Sequence, residues 1–160
     1  MAYAGLDTQI LIWGGIRDNP GDQSEKPDLA ERSRWLLAQL ERDHVEIVIP
    51  TITAAELAVP LAAKKRGEFL ASLSENFFVK PFDLQAAAIA ADLFARALEL
   101  PESEITARKV LSADTKIIAT AKAAGATVFY SHDKRCRKVA ALVMQAHDLP
   151  SHAEELFDHL

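Results

Sequence analysis

Four acidic residues that lie far apart in the chain are the strongest candidates for chemistry: Asp7, Glu56, Asp114 and Asp133. Two carboxylates about 4 Å apart repel each other by roughly 4 kcal/mol at an effective dielectric constant near 20. A cluster of them therefore needs bound protons or a divalent cation. Mg²⁺ suits such a site because it prefers oxygen ligands and uses few carboxylates. A carboxylate-held Mg²⁺ favours phosphodiester hydrolysis, because it polarises a phosphoryl oxygen and activates water.

The strands that would position these acids are short and apolar. Residues 3–7 predict a buried strand that ends near Asp7, and a short helix follows it. The β-branched residues 45–49 predict a second buried strand. Residues 77–79 and 127–130 predict a third and a fourth strand. Strands that alternate with helices indicate a parallel sheet covered by helices on both faces.

Capping patterns mark two helix starts in the first half of the chain. Residues 18–27 contain proline and glycine and predict a loop. Asp28 then has the position of a helix N-cap. Thr53 with Glu56 forms a second capping pattern, which predicts a helix that continues to about Lys65.

Two further helix starts lie in the second half. Asp83 is expected to cap an alanine-rich helix that reaches about Glu99. Ser112 or Asp114 is expected to begin the next helix, which Gly125 ends. Shorter helices are predicted over residues 67–74 and 139–145.

The topology brings the four acids to one place. Crossovers between parallel strands are right-handed, so strand ends and helix starts share one edge of the sheet, where ligands bind. Asp7 ends the first strand, and Glu56 lies in the first turn after the second. Asp114 opens the helix before the fourth strand, and Asp133 lies just past that strand. We therefore predict that all four carboxylates converge there.

Each acid also has a purely structural interpretation. Glu56 would complete a capping box with Thr53, Asp114 would be a helix N-cap, and Asp133 would cap a turn. Asp7 would pair with a nearby lysine, although an acid at the end of an apolar strand is costly unless it is paired or bound to metal. These interpretations are plausible singly, but they explain poorly why all four acids share one edge.

Length and composition indicate a single domain over residues 1–160. The chain is 49% apolar and 26% charged, as is ordinary for a globular protein. Its one cysteine, Cys136, excludes an internal disulfide and fits a cytoplasmic location. The N-terminus does not have the pattern of a secretion signal, and no apolar run reaches the roughly 20 residues that span a bilayer. We therefore expect no membrane association.

The charge distribution bears on possible nucleic-acid binding. A net charge of −5 argues against it, but local charge decides binding. Basic residues cluster at 64–66, 108–109 and 134–138, and solvated helix faces would explain these clusters equally well. No cysteine and histidine cluster has zinc spacing, so a soft-metal site is not expected.

At its acidic residues the chain resembles the PIN-domain family, especially the VapC toxins of prokaryotic toxin–antitoxin pairs. Four blocks carry the resemblance: residues 5–12 (GLDTQILI), 51–57 (TITAAEL), 112–121 (SADTKIIATA) and 126–133 (ATVFYSHD). The last two, with Gly125 between them, are the most specific. The resemblance extends from residue 3 to about residue 139.

The resemblance implies a three-layer α/β/α sandwich around a mostly parallel sheet of four to five strands. It implies a ribonuclease that depends on Mg²⁺ or Mn²⁺, with Asp7, Glu56, Asp114 and Asp133 in the family's acidic, metal-binding positions. It also implies a small cognate antitoxin as partner and a homodimer. An antitoxin arginine near the acidic site would be electrostatically favourable.

Other residues have supporting roles in this interpretation. Thr8 and Ser131 are expected to donate hydrogen bonds around the carboxylates, with Ser131 standing where the family often has threonine. His132 is unusual for the family and is expected to be an exposed bystander, with contact to an RNA phosphate as the alternative. Residues 144–160 do not predict a clean final strand. The candidates for contact with RNA phosphates are Lys109, Lys116, Lys134 and Arg135.

Two rival functions remain open. Some phosphatases with parallel α/β folds use an aspartate nucleophile after a strand. They usually have a second aspartate two residues later, where this chain has Gln9. The second rival is a catalytically silent PIN-fold module that binds RNA or acts as a scaffold. The presence of all four acids favours an active nuclease over this module.

Overall fold

A sheet of five parallel strands forms the centre of the fold. The computed structural model describes residues 1–19, 21–101 and 107–151. In the sheet, neighbours follow the order β3-β2-β1-β4-β5, and every neighbouring pair is parallel. The expected α/β architecture is therefore confirmed. The strands are β1 (Ala2–Leu6), β2 (Val45–Pro50), β3 (Phe78–Lys80), β4 (Val128–Tyr130) and β5 (Gln145–His147).

Helices pack on both faces of this sheet. Residues of the first four helices share one apolar core with alternate residues of β1 and β2. Residues of the last three helices form a second core with Phe129 of β4. None of the helices in the described residues is long and apolar enough to cross a membrane. The helices are α1 (Thr8–Trp13), α2 (Pro27–Arg42), α3 (Thr51–Ala58), α4 (Ala63–Asn76), α5 (Leu84–Ala97), α6 (Arg108–Ala123) and α7 (Lys134–Ala140).

The central strand β1 is buried on both faces. Ala4 and Leu6 point into the first core, whereas Gly5 faces α6 and β4. A Cβ atom on Gly5 would lie 2.7 Å from Cδ2 of Phe129 and 2.8 Å from Cβ of Ala121. A glycine is needed here because no other residue allows the strand to lie so close to its neighbours. This contact fixes the distance of β1 from β4 and α6. Asp7 follows Gly5 by two residues.

The expected N-cap of α2 at Asp28 is wrong. The cap position is Lys26, and Pro27 takes the first helical position, where its missing N–H costs nothing. Asp28 lies in the first turn and forms an ion pair with Arg32, with Oδ2 of Asp28 3.6 Å from Nη1 of Arg32. The loop expected before this helix agrees with the structure where residues are described.

The capping box of Thr53 and Glu56 is also wrong. Helix α3 already begins at Thr51, directly after Pro50. Thr53 is fully buried, and its hydroxyl lies 3.4 Å from that of Thr8. The helix ends at Ala58, because Pro60 has no N–H with which to continue it. The separate helix α4 covers the segment in which a shorter one was expected.

Helix α6 begins earlier than either predicted start. It starts at Arg108, so Ser112 and Asp114 lie inside it and neither caps it. The interpretation of Asp114 as a helix N-cap is therefore excluded. The predicted end of this helix is confirmed, since Gly125 follows it in the left-handed region at φ +101°.

The C-terminal elements differ from the expectation in two ways. Helix α7 begins at Lys134 instead of residue 139, because Asp133 caps it by accepting a hydrogen bond from the backbone N–H of Arg135. A fifth strand does form, over Gln145–His147. Its pairing with β4 is made by the backbone. Its two outer residues are exposed, so its sequence lacks the alternation of apolar and polar residues that predicts a strand.

The tight packing at Gly5 generates a stability prediction. We expect Gly5→Ala to lower the free energy of unfolding by about 1–3 kcal/mol, because the new methyl group collides with Phe129 and Ala121. The matched control is Gly67→Ala, in the interior of α4, where nothing lies within 4 Å of the added Cβ. That variant should gain roughly 0.5–1 kcal/mol from better helix propensity. Urea denaturation measures both, and equal effects of the two substitutions would contradict this packing.

Candidate functional site

The carboxyl edge of the sheet holds all four predicted acids. Asp7 directly follows β1, and Asp133 lies three residues after the end of β4. These strands are neighbours, with Leu6 paired to Tyr130. Helix α3 leaves the same edge after β2 and carries Glu56. Helix α6 carries Asp114 in its second turn, before it descends to β4.

The electrostatics of Asp114 reveal how closely the four acids approach one another. Burial is the largest cause that raises the pKa of Asp114, which reaches about 7. Repulsion from Asp7, Asp133 and Glu56 contributes in the same direction. The structure therefore brings the four acids into one electrostatic neighbourhood.

Asp7 is the most deeply set of the four. Burial raises the pKa of its carboxyl, and the nearby charge of Asp133 adds to this effect. A hydrogen bond from the hydroxyl of Ser131 acts in the opposite direction. Asp7 also caps α1, accepting a long 3.5 Å hydrogen bond from the N–H of Gln9. Asp7 is therefore a constrained group with an unfavourable negative charge.

Ser131 connects two of the acids. It is fully buried, and its hydroxyl donates a 2.7 Å hydrogen bond to Oδ2 of Asp7. The same oxygen accepts a 3.1 Å hydrogen bond from the backbone N–H of Asp133. Its own N–H donates to the carbonyl of His147 on β5. One side chain thus orients Asp7 and the turn that carries Asp133.

The backbone N–H of Thr8 hydrogen-bonds Asp7, whereas the side chains of Thr8 and His132 make contacts outside the carboxylate cluster. The hydroxyl of Thr8 lies against Thr53, which joins α1 to α3. Nδ1 of His132 lies 2.8 Å from Oδ1 of Asp148, after β5. Arg137 binds the same aspartate and donates a 2.9 Å hydrogen bond to the carbonyl of Ser131. His132 is exposed and helps to tie the chain after β5 to the turn that carries the site.

The donor set fits a hard cation better than a soft one. Near the acids, burial and the charges of Asp7 and Asp114 raise the pKa of Cys136, so its thiol stays protonated and is a poor metal ligand. As the side chains stand in the described part of the chain, no three acidic, histidine or cysteine residues are close enough to hold a metal ion. Mg²⁺ commonly uses only one or two carboxylates and keeps several waters, so this spacing is compatible with it.

The four cationic candidates fall into two groups. Lys109 and Lys116 lie on α6 and line a groove there, whereas Lys134 and Arg135 lie in the first turn of α7. The same groove includes Arg108, which was not among the predicted contacts. Its place beside Lys109 in a basic pair was the only signal in the sequence.

Comparison with known proteins places this geometry in a family. The chain matches the model of the PIN domain over residues 6–142. No curated protein matches it in sequence. Two similar solved structures are those of VapBC2 from Rickettsia felis bound to a DNA fragment from their promoter, and of DNA-bound VapBC from Salmonella typhimurium.

The likeness to these structures concerns the fold. The Rickettsia structure has a TM-score of 0.63 at 14% identity, and the match covers 92% of this chain and 99% of the other. The Salmonella structure has a TM-score of 0.61 at 20% identity, with 94% and 100% covered. The family model spans far more than half of the chain and includes all four acids. The chain therefore belongs to the PIN domain family.

Proposed function

We propose that this chain is an endoribonuclease that depends on Mg²⁺ or Mn²⁺ and hydrolyses RNA phosphodiester bonds, with residues 1–160 as a single PIN domain. The observation that carries the proposal is the crowding around Asp114, whose pKa rises to about 7 through burial and three neighbouring carboxylates. Such a cluster has a high affinity for positive charge. Membership of the PIN family supports a nuclease, because PIN domains are generally nucleases.

The acids differ in their proposed roles. Asp7, Asp114 and Asp133 would hold the cation directly or through water, because they are fixed by burial or by helix capping. Glu56 is exposed on α3. It would bind the same ion or a second one, or orient the attacking water. When bound, the cation supplies Lewis-acid stabilisation of the phosphoryl oxygens and lowers the pKa of the attacking water.

The remaining residues keep this arrangement in place. Ser131 occupies one lone pair of Oδ2 of Asp7, and each carboxylate oxygen has a second one for a ligand. Oδ1 of Asp133 accepts from the N–H of Arg135, so this capping bond leaves Oδ2 available for a ligand. Thr8 supports the shell through its backbone N–H, which hydrogen-bonds the carboxylate of Asp7, and through the contact of its hydroxyl with Thr53. Lys134 and Arg135 would contact phosphate beside Asp133.

Removal of one carboxylate tests the proposed activity. We expect Asp7→Asn to lower the rate of RNA cleavage by at least about 100-fold, because several kcal/mol of cation-dependent stabilisation are lost. EDTA should abolish cleavage by the parent protein, and Mg²⁺ or Mn²⁺ should restore it. The control is Asp92→Asn on α5, an exposed aspartate that should leave the rate unchanged. Full cleavage by a folded Asp7→Asn protein would overturn the assignment.

The crowding around Asp114 also predicts how stability depends on pH. Its folded pKa of about 7 is above the usual 3.8, so without a cation its contribution to stability is full below pH 3.8 and is lost as the pH rises through 7. In EDTA we expect Asp114→Asn to be more stable than the parent by roughly 1–3 kcal/mol at about pH 8.5, and by less at about pH 5.5.

Thermal unfolding of both proteins across this pH range measures the difference. Mg²⁺ at the higher pH should raise the Tm of the parent more than that of the variant, because a cation relieves the same repulsion. A difference in stability that does not change with pH would show that Asp114 titrates normally in the folded protein.

We also infer that the chain is the toxin of a VapBC-type toxin–antitoxin pair, that it forms a homodimer and that it acts in the cytoplasm. The two similar structures are VapBC assemblies, which supports a small antitoxin as partner. We expect expression of the parent protein to arrest growth. We also expect a small neighbouring gene whose product relieves the arrest when the two are co-expressed. Asp7→Asn should not arrest growth. Arrest by that variant at the same protein level would contradict a toxic effect that depends on cleavage.

A further inference from the structure

A groove beside the acidic cluster combines apolar and cationic residues. It has a volume of about 800 Å³ and lies between α3, α5 and the first half of α6. Its apolar part is formed by Ile52 and Phe94, which also pack against the second core. Its polar part is lined by Arg108, Lys109, Ser112 and Lys116.

The cations of the groove all come from one side of α6. At 3.6 residues per turn, Arg108, Lys109 and Lys116 fall within about 100° of the helix circumference. They extend over about 12 Å along the helix axis. Asp114 points to another side, toward the acidic cluster. The helix therefore separates a cationic side from a carboxylate that belongs to the proposed catalytic site.

The cations of the groove are available for a ligand. Arg108, Lys109 and Lys116 are exposed, and across the described residues no carboxylate forms an ion pair with any of them. The guanidinium of Arg108 lies over the ring of Phe94, with its central carbon 5.6 Å from the ring centroid. This contact orients a planar cation at the groove, where it can bind phosphate or stack on a base.

The groove borders the helix segments that carry two of the acids. Ile52 lies one helical turn before Glu56 on the same face of α3. On α6, Ala113 lines the groove and the next residue is Asp114. A polyanionic strand in the groove would therefore reach the acids at its end. In a chain of net charge −5, such a concentration of cations, with which no described carboxylate forms an ion pair, favours an anionic ligand.

We propose that this groove binds the backbone of single-stranded RNA and guides the strand to the acidic cluster, with Lys109 and Lys116 on phosphates and Arg108 with Phe94 on a base. This inference rests on the proposed nuclease function, and it names the path of the substrate. Phosphates would be held by point charges, and a base would stack on the arginine and the aromatic ring. Such contacts tolerate many sequences.

The test compares two pairs of lysines. Lys109→Gln with Lys116→Gln removes two charges from the groove, and Lys64→Gln with Lys65→Gln removes two exposed charges from α4, outside it. Both pairs are placed in the Asp7→Asn protein without divalent ions, so binding is measured apart from cleavage. The probe is a fluorescein-labelled, mixed-sequence, single-stranded RNA, followed by anisotropy at several salt concentrations.

We call the Lys109→Gln, Lys116→Gln variant the groove pair and the Lys64→Gln, Lys65→Gln variant the α4 pair. We expect the groove pair to weaken RNA binding by roughly tenfold. It should also reduce the slope of log Kd against log salt by about 1.4, which is about 0.7 for each lost phosphate contact. The α4 pair should change affinity by less than about twofold. Equal losses for both pairs, no loss for the groove pair or no RNA binding by the Asp7→Asn protein would each overturn the proposal. A groove pair that lost binding to polyglutamate but not to RNA would assign the groove to an acidic protein and also overturn it.

Cleavage by the otherwise unmodified protein separates the two proposals. If the parent protein cleaves RNA and the groove pair in that protein cleaves at the same rate, the proposed nuclease function stands and the proposed role of the groove is wrong. If the parent protein does not cleave RNA but the groove pair selectively loses RNA binding, the proposed RNA-binding role of the groove stands and the proposed nuclease function is wrong. Arg108→Lys keeps the charge but removes the planar group, so it should weaken binding while leaving the salt slope unchanged.

Discussion

Mutual repulsion among carboxylates at one edge of the sheet is the constraint on which the site depends. It arises from topology, because β1 is central, with β2 on one side and β4 on the other. Chain connections leave in opposite directions at this point, and parallel α/β sheets bind ligands there. Asp7 and Asp133 follow the two strands that meet at this switch point. The fold thus concentrates negative charge at this edge of the sheet.

The rest of the structure holds these charges against their repulsion. The packing of Gly5 fixes the central strand between two apolar cores, and Asp7 follows it directly. Ser131 ties Asp7 to the turn of Asp133 with one hydroxyl. Burial raises the pKa of Asp114 to about 7, and repulsion from Asp7, Asp133 and Glu56 adds to this effect. The folded protein therefore has a local electrostatic cost that positive charge would remove.

In the proposed function, the opposite charges of helix α6 would serve one substrate. Its acidic residue faces the cluster, and its cations face the neighbouring groove. A phosphodiester strand requires both, since its charge must be attracted along its length and its reacting phosphate must meet a cation held by carboxylates. The negative net charge of the chain is compatible with this arrangement, because potential at the surface depends on local charge.

The sequence by itself determined the four main strands, the parallel architecture and the edge at which the acids meet. The strands follow from short apolar segments, which are a local property of the sequence. The shared edge follows from the right-handedness of crossovers, which holds for parallel sheets in general. The start of α5 also followed from the sequence, because Asp83 caps it as predicted. The starts of α3 and α6 did not. Thr53 resembles a cap but is buried against Thr8, which lies 45 residues away. Strand β5 forms by backbone pairing that no side-chain pattern reveals. Only the packing of α3, α5 and α6 assembled the cationic groove, because its residues come from separate segments that the sequence does not pair.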